Sequence, residues 1–430
     1  MHRTVFLVTL TGVAATRLAA AAPAPLPSPV DDPVPAPVPA PPGAPAPAPA
    51  RAADDLDLTA LGLDPAGDGG FDDKLSVYGF ADFTWSNTHF THQTPYAHDS
   101  TTFALTSLNV YIAKNLTPRW RSLAEISFNY VPNGSTNPDG TTVVTSASDA
   151  TDFGRTTQWG TIAIERAYVE YDLTPHLTIR AGHWLTPYGI WNTDHGSPVI
   201  IGTYRPYIVG EQLFPEHQTG LDAFGSAPVG DYKLGYHATI SNGRSETEIV
   251  ADTDRRPAIG GRLEFEAPWA GTLKLGASGY LGRATGATTS TTTAPEVFDE
   301  RAYAVDGQWD HGGLHLQGEA IHRHKAYTAG HHPLTLAGAP IGNGPDLGVY
   351  LLVGYRFAHL WNVMPFAYYE DYRPLVPGIL GDIKAINAGL NFRPLATVIL
   401  KVQGAYAHGD DFGLLHTSVM FIATQAAWVF

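Results

Sequence analysis

The sequence contains no cysteine. That excludes a disulfide framework, a thiolate nucleophile and any Cys-ligated zinc or iron–sulfur centre. Charge is scarce, at 16% of residues, and it leans acidic, with 41 Asp and Glu against 26 Lys and Arg for a formal −15. A nucleic-acid partner is excluded on that ground, because phosphate binding needs clustered basic side chains. No apolar run approaches the ~18 residues that a membrane-crossing helix requires. What the 430 residues do have is glycine, 44 of them, and aromatics at 11%. Low charge with high glycine and aromatic content is unlike an ordinary cytosolic enzyme. The length fits either two or three soluble domains or one large β-barrel.

The first 22 residues have the layout of a secretory signal. His2 and Arg3 open it, Val5 to Ala15 form a short apolar stretch, and Ala19 to Ala22 supply small residues for cleavage near Ala21. The other reading of this segment is a short buried helix. Residues 23–70 read as an Ala/Pro-rich periplasmic linker. Between Pro23 and Ala50 nearly every second residue is proline, which lacks an N–H and fixes φ, so the run suits an extended, disordered arm. Its roles are an inert spacer or a tether.

From residue 71 to 430 the period becomes two. Leu75, Val77, Gly79, Ala81, Phe83 and Trp85 alternate with Ser76, Tyr78, Asp82, Thr84 and Ser86, one apolar face against one largely polar face. The same alternation predicts strands at 108–112, 120–130, 161–173, 177–187, 219–227, 231–241, 257–267 and 272–283. Further strands follow at 299–310, 314–324, 346–357, 362–372, 382–392, 397–407 and 415–430. The fold class expected is all-β: a transmembrane antiparallel up-and-down barrel of about sixteen strands, an even number as such barrels require. In lipid every backbone polar group must be paired, so a sheet there has to close. Asn115–Pro118, Asp172–Pro175 and Asn391–Pro394 repeat an Asx-x-x-Pro signature of tight turns. Long segments at 131–160, 188–218, 242–256, 284–298, 325–345 and 373–381 separate them. Short turns at one end and long polar loops at the other match an outer-membrane barrel with its turns in the periplasm. Trp120, Tyr130, Tyr171, Trp361, Tyr406 and Trp428 are placed as interface aromatics. The chain ends in Trp428-Val429-Phe430, which resembles the signal read by the outer-membrane assembly machinery.

Parity assigns a mixed set of charges to the lumen: Arg121 and Glu125, then Arg166, Glu170 and Arg180, then Arg262, Glu264, Glu266 and Lys274. Asp194, Arg205, Glu211 and Glu216 become constriction residues if 188–218 folds inward. The alternative is that these charges pair among themselves and keep the lumen wet. No nucleophile-elbow motif is present and catalysis is not expected. No cofactor is implied. His322, His324, His331 and His332 suit a His-rich exposed hairpin better than a zinc or copper site. The expected partners are small hydrophilic solutes or ions, the bilayer with its lipopolysaccharide, and the assembly machinery, in the outer membrane of a double-membrane bacterium. A structural or adhesive barrel and a barrel hydrolase are the alternatives.

Glu165-Arg166-Ala167-Tyr168-Val169-Glu170-Tyr171, followed by Ile179-Arg180-Ala181-Gly182 and Pro187-Tyr188-Gly189, resembles a motif block of the phosphate-selective porin O/P-like family. Residues 197–218, with Thr203-Tyr204-Arg205-Pro206, are similar to the in-folded loop of those porins. The resemblance implies a sixteen-stranded, water-filled, trimeric barrel. The phosphate-selective members carry Arg and Lys ladders, whereas this chain has 7 Lys and an acidic excess, so the resemblance does not set the solute.

Overall fold

The computed structural model describes residues 74–92, 99–129, 135–136, 142–143, 161–192, 196–210, 212–245, 252, 254–285, 296–334, 339–376, 382–411 and 415–430. The expected signal, the linker and Tyr130 lie outside them. Sixteen long strands form one antiparallel sheet. They are β1 (Leu75–Phe90), β2 (Ser100–Thr117), β3 (Trp120–Asn129), β4 (Thr161–Thr174), β5 (Leu177–Leu185), β6 (His217–Val229), β7 (Tyr232–Ser241) and β8 (Ala258–Ala267). The second half is β9 (Thr272–Thr285), β10 (Val297–His311), β11 (Leu314–Tyr327), β12 (Gly344–Tyr355), β13 (Met364–Arg373), β14 (Asp382–Leu395), β15 (Val398–Asp411) and β16 (Leu415–Val429). Each strand pairs with the next, and β16 returns to β1 from Phe80↔Val429 to Phe90↔Val419. The sheet is therefore a closed barrel with no free edge. All sixteen predicted strands are present.

The terminal residue completes the seam. The Gly79 N–H donates to the Phe430 carbonyl at 2.8 Å, and the Phe430 N–H donates to the Gly79 carbonyl at 2.9 Å. A Cβ at Gly79 would press on the Phe430 ring and the Asn109 carbonyl, so the close approach needs glycine there.

The Asx-x-x-Pro repeats are more than turns. In all three the ladder slips just before the turn: between Asn115 and Thr117, between Asp172 and Thr174, and between Phe392 and Leu395. Proline cannot donate to the ladder, so the pairing breaks where it approaches. In the first two, a threonine hydroxyl accepts the freed N–H groups: Arg119 and Trp120 on Thr117 Oγ1, and His176 on Thr174 Oγ1. The third departs from expectation. β14 runs on through Pro394 to Leu395, and the turn falls at residues 396–397.

The outer face is apolar. Leu263, Leu275, Val305, Leu351, Ile386 and Leu400 all point outward and are exposed, Leu351 at 64%. A continuous belt of this kind is not kept in water and fits acyl chains. Trp120, Trp428 and the turn residue Trp361 are exposed at strand ends, whereas Tyr406 is exposed in the middle of β15, and Trp120 packs on Tyr171 with ring centroids 4.7 Å apart.

Candidate functional site: the barrel interior

The interior is divided. The segment 186–216 does not stand outside the barrel; it packs into it. Tyr188, Trp191, Ile200, Ile208, Val209, Leu213 and Phe214 join one buried apolar cluster with inward side chains of the wall: Tyr280, Ile321, Tyr350, Leu352, Phe366, Tyr368, Tyr372 and Ile383. Over β9–β14 the inner face is therefore not uniformly polar: apolar side chains stand among buried polar and charged ones such as Glu319, Arg323, Asp346 and Glu370. Those strands carry apolar side chains inward because the inserted segment, with its short helical turn at Tyr207–Gly210, covers them. Burying these side chains is the main force holding the segment in place, at roughly 1.5–3 kcal/mol for each fully buried one.

Polar contacts fix its register. Lys401 donates to the carbonyls of Ser197 at 2.6 Å and Gly202 at 2.8 Å. Arg393 donates to Pro198 O at 2.7 Å, Asn391 to Ile201 O at 3.0 Å, Arg323 to Gln212 O at 3.0 Å and Arg244 to Leu213 O at 3.1 Å. In return the wall accepts from the segment: Thr203 N–H on Gln403 Oε1 at 2.8 Å, Tyr207 N–H on Glu370 Oε2 at 2.7 Å, and Trp191 Nε1–H on the Tyr350 hydroxyl at 2.6 Å. Ser197 donates to Asp82 on β1. With the Tyr188 hydroxyl 2.6 Å from Thr239 Oγ1 on β7, the contacts reach from β7 round to β1, so the segment crosses the interior. At Gly189, φ is +73° and an added Cβ would meet the Glu319 carboxylate, which requires glycine.

The wall from β3 to β10 also carries a run of paired charges. Arg166 pairs with Glu125 at 2.5 Å. Arg121 and Arg180 share Glu170 at 3.1 and 2.8 Å, Arg121 also binds Asp172, and Arg180 reaches Asp222 at 3.4 Å. The Arg180 guanidinium lies between the Tyr168 and Phe224 rings, 4.6 and 4.5 Å from their centroids. Arg262 spans Asp306 at 2.6 Å and Glu264 at 3.3 Å. Glu266 lies 4.0 Å from Lys233 and opposite Lys274 in the ladder. Acids and bases alternate along the wall and neutralise one another locally, with Asp172, Glu264 and Arg121 the more accessible members.

Of the residues singled out from the sequence, Arg166, Glu170, Arg180, Arg262, Glu264, Glu266 and Lys274 fall on this one stretch of wall. Arg205 lies in the inserted segment and pairs with Glu216 at 2.5 Å, as a brace rather than a free charge. Asp194 and Glu211 lie outside the described residues. Parity missed Asp222 and Asp306, which follow the same alternation but sit among apolar neighbours. It also missed Lys401, Gln403 and Glu370, whose roles exist only once the segment is inside. Glu165 misleads parity for a different reason. The ladder slips between Glu125 and Ile126, and Glu165 ends buried with His217 at 2.8 Å. His322 and His324 sit on the outer face of β11. Among the described residues no group of three or more His, Asp or Glu side chains is placed to hold a metal ion.

Comparison with known proteins agrees with this architecture. No family model matches the chain. An uncharacterised protein of Aquifex aeolicus is 28% identical over 139 residues, which are 28% of this chain and 30% of that protein. The match thus spans under a third of the relative's length. Among solved structures, an anion-selective porin from Comamonas acidovorans superposes with a TM-score of 0.53 at 11% identity, covering 84% of this chain and all of that one. The outer-membrane channel DcaP of Acinetobacter baumannii superposes at 0.50 with 13% identity, covering 84% and 99%. A trimer form of OmpT, an outer-membrane protein of Vibrio cholerae, gives 0.50 at 10%, covering 83% and 100%. The fold is that of the outer-membrane porins.

Proposed function

We propose that the chain is an outer-membrane porin, a passive channel for small hydrophilic solutes or ions. One observation carries the reading: a closed sixteen-strand barrel, apolar outside, holds an inserted segment against one half of its inner wall and a ladder of paired charges on the other. The path runs between the two. Arg166, Glu170, Arg180, Arg262, Glu264, Glu266 and Lys274 line it, and Asp194, Arg205 and Glu211 belong to the segment that narrows it. Paired charges on a fixed wall present oriented dipoles to passing water, which favours polar solutes over apolar ones.

That an anion-selective porin and an outer-membrane channel are built on the same fold supports this use of it, and the trimer form of a third supports a homotrimer. Kinship with the phosphate-selective porin O/P-like family rests on residues 165–171 and 179–189. Residues 1–22 would direct export, 23–70 would extend into the periplasm, and Trp428 with Phe430 would be read by the assembly machinery. Liposome swelling tests the reading. Barrels refolded into vesicles should admit small sugars at rates that fall steeply with sugar size. Folded, inserted barrels that admit none would overturn it.

A further inference from the structure

Among the described residues the outer face carries a group of basic side chains that the fold leaves unused. Arg301 on β10 points outward and is exposed, directly opposite His324 on β11. Two residues towards the short turns, Tyr303 stands opposite the exposed His322. Side chains directly opposite in a ladder lie ~5 Å apart at Cβ, so Arg301, His322 and His324 form one patch. Leu281 stands opposite Arg301 and Leu347 opposite His322, and towards the short turns the wall goes on apolar with Tyr303, Val305, Val349 and Leu351, all exposed outward. The patch therefore marks the upper edge of the belt, at the end of the long loops.

Several other basic side chains at this level are matched. Arg283 lies 3.4 Å from Asp299 and 3.7 Å from Asp254, Arg256 lies 3.6 Å from Asp299, and Arg373 lies 2.8 Å from Asp371. Lys384 stands opposite Asp371. Arg301, His322 and His324 have no ion-pair, hydrogen-bond or ring partner among the described residues. An exposed guanidinium beside two imidazoles, over a lipid-facing tyrosine, offers N–H donors where a lipid headgroup would sit, and Arg suits the bidentate geometry of phosphate.

We propose that Arg301, His322 and His324 bind the phosphate of an outer-leaflet lipid headgroup, with Tyr303 and the aliphatic belt beneath taking the acyl chains. The proposal rests on the membrane reading above. The anionic headgroup complements an unpaired basic patch, and its chains complement the adjoining apolar surface, which a free phosphate would leave bare.

The test uses the full chain folded in detergent micelles, with native mass spectrometry at graded concentrations of a diphosphorylated glucosamine-disaccharide lipid. The probe should bind the wild type, and its enzymatically dephosphorylated form should bind at least about tenfold more weakly, the order expected for charge-assisted hydrogen bonds. The triple variant Arg301→Gln, His322→Ala, His324→Ala should lose the same factor. Arg373→Gln, at a matched rim position, should lose nothing. Heat-modifiable mobility and bilayer insertion should be unchanged in all of them. Equal binding of the two lipid forms, or undiminished binding by the triple variant, would overturn the patch. Displacement of the lipid by inorganic pyrophosphate at equal concentration would overturn the choice of a lipid. A wild type that folds but does not insert would fail the membrane reading instead, and insertion distinguishes the two.

Discussion

At the scale of single residues, the charged wall is a set of shared partners rather than free charges. Arg180 answers to Glu170, Asp222 and two aromatic rings at once. Arg180→Gln removes one positive charge while Asp222 keeps His237 at 3.2 Å. The expected outcome is a barrel that still folds, with its reversal potential in a KCl gradient shifted towards cation preference. An unshifted potential would place the conducting path elsewhere. Arg262 is the stricter case, because Asp306 is almost wholly enclosed beside it. Arg262→Met strands that carboxylate, and removing one partner of a buried pair costs about 3–5 kcal/mol. A gel-shift titration in urea should show the loss, and the double variant Arg262→Met, Asp306→Leu should recover part of it.

At the scale of elements, the strands were legible and the inserted segment was not. A half-buried strand writes period two into its sequence, as Leu75 to Ser86 does, and that signal is local. The segment 186–216 has no such signature. Its apolar residues, Ile208, Leu213 and Phe214 among them, find their partners on β9–β14, far along the chain. The inward apolar residues of those strands, Tyr350, Leu352 and Phe366, are explained only by that same contact. The wall charges were legible because they alternate with lipid-facing residues, and Glu165 was not, because a bulge shifts parity by one. Leu213 is fully buried, and Leu213→Ala should cost about 2–5 kcal/mol of the segment's attachment. Lys401→Met should release the Ser197 and Gly202 carbonyls. Both variants should convert a quiet open channel into a noisy one in current recordings, while Leu263→Ala on the outer face should not. The seam makes a separate prediction. Deleting Phe430 removes both of its hydrogen bonds to Gly79, and the yield of heat-modifiable barrel in membranes should fall.

At the scale of the molecule, the acidic balance of the sequence does not carry directly into the barrel. The formal −15 belongs to the whole chain, whereas Glu125, Glu170, Asp172, Asp222, Glu264 and Asp306 on the charged wall are matched by arginines, and Asp82 and Glu370 are held by neutral donors. The molecule is thus an apolar shell around an interior that is half protein core and half paired charge. The central claim is that an open path remains between those halves. Single-channel recording of the refolded full-length protein in planar bilayers tests it most directly. The account predicts open, ohmic steps of uniform size; correctly folded, inserted protein that passes no current would contradict it.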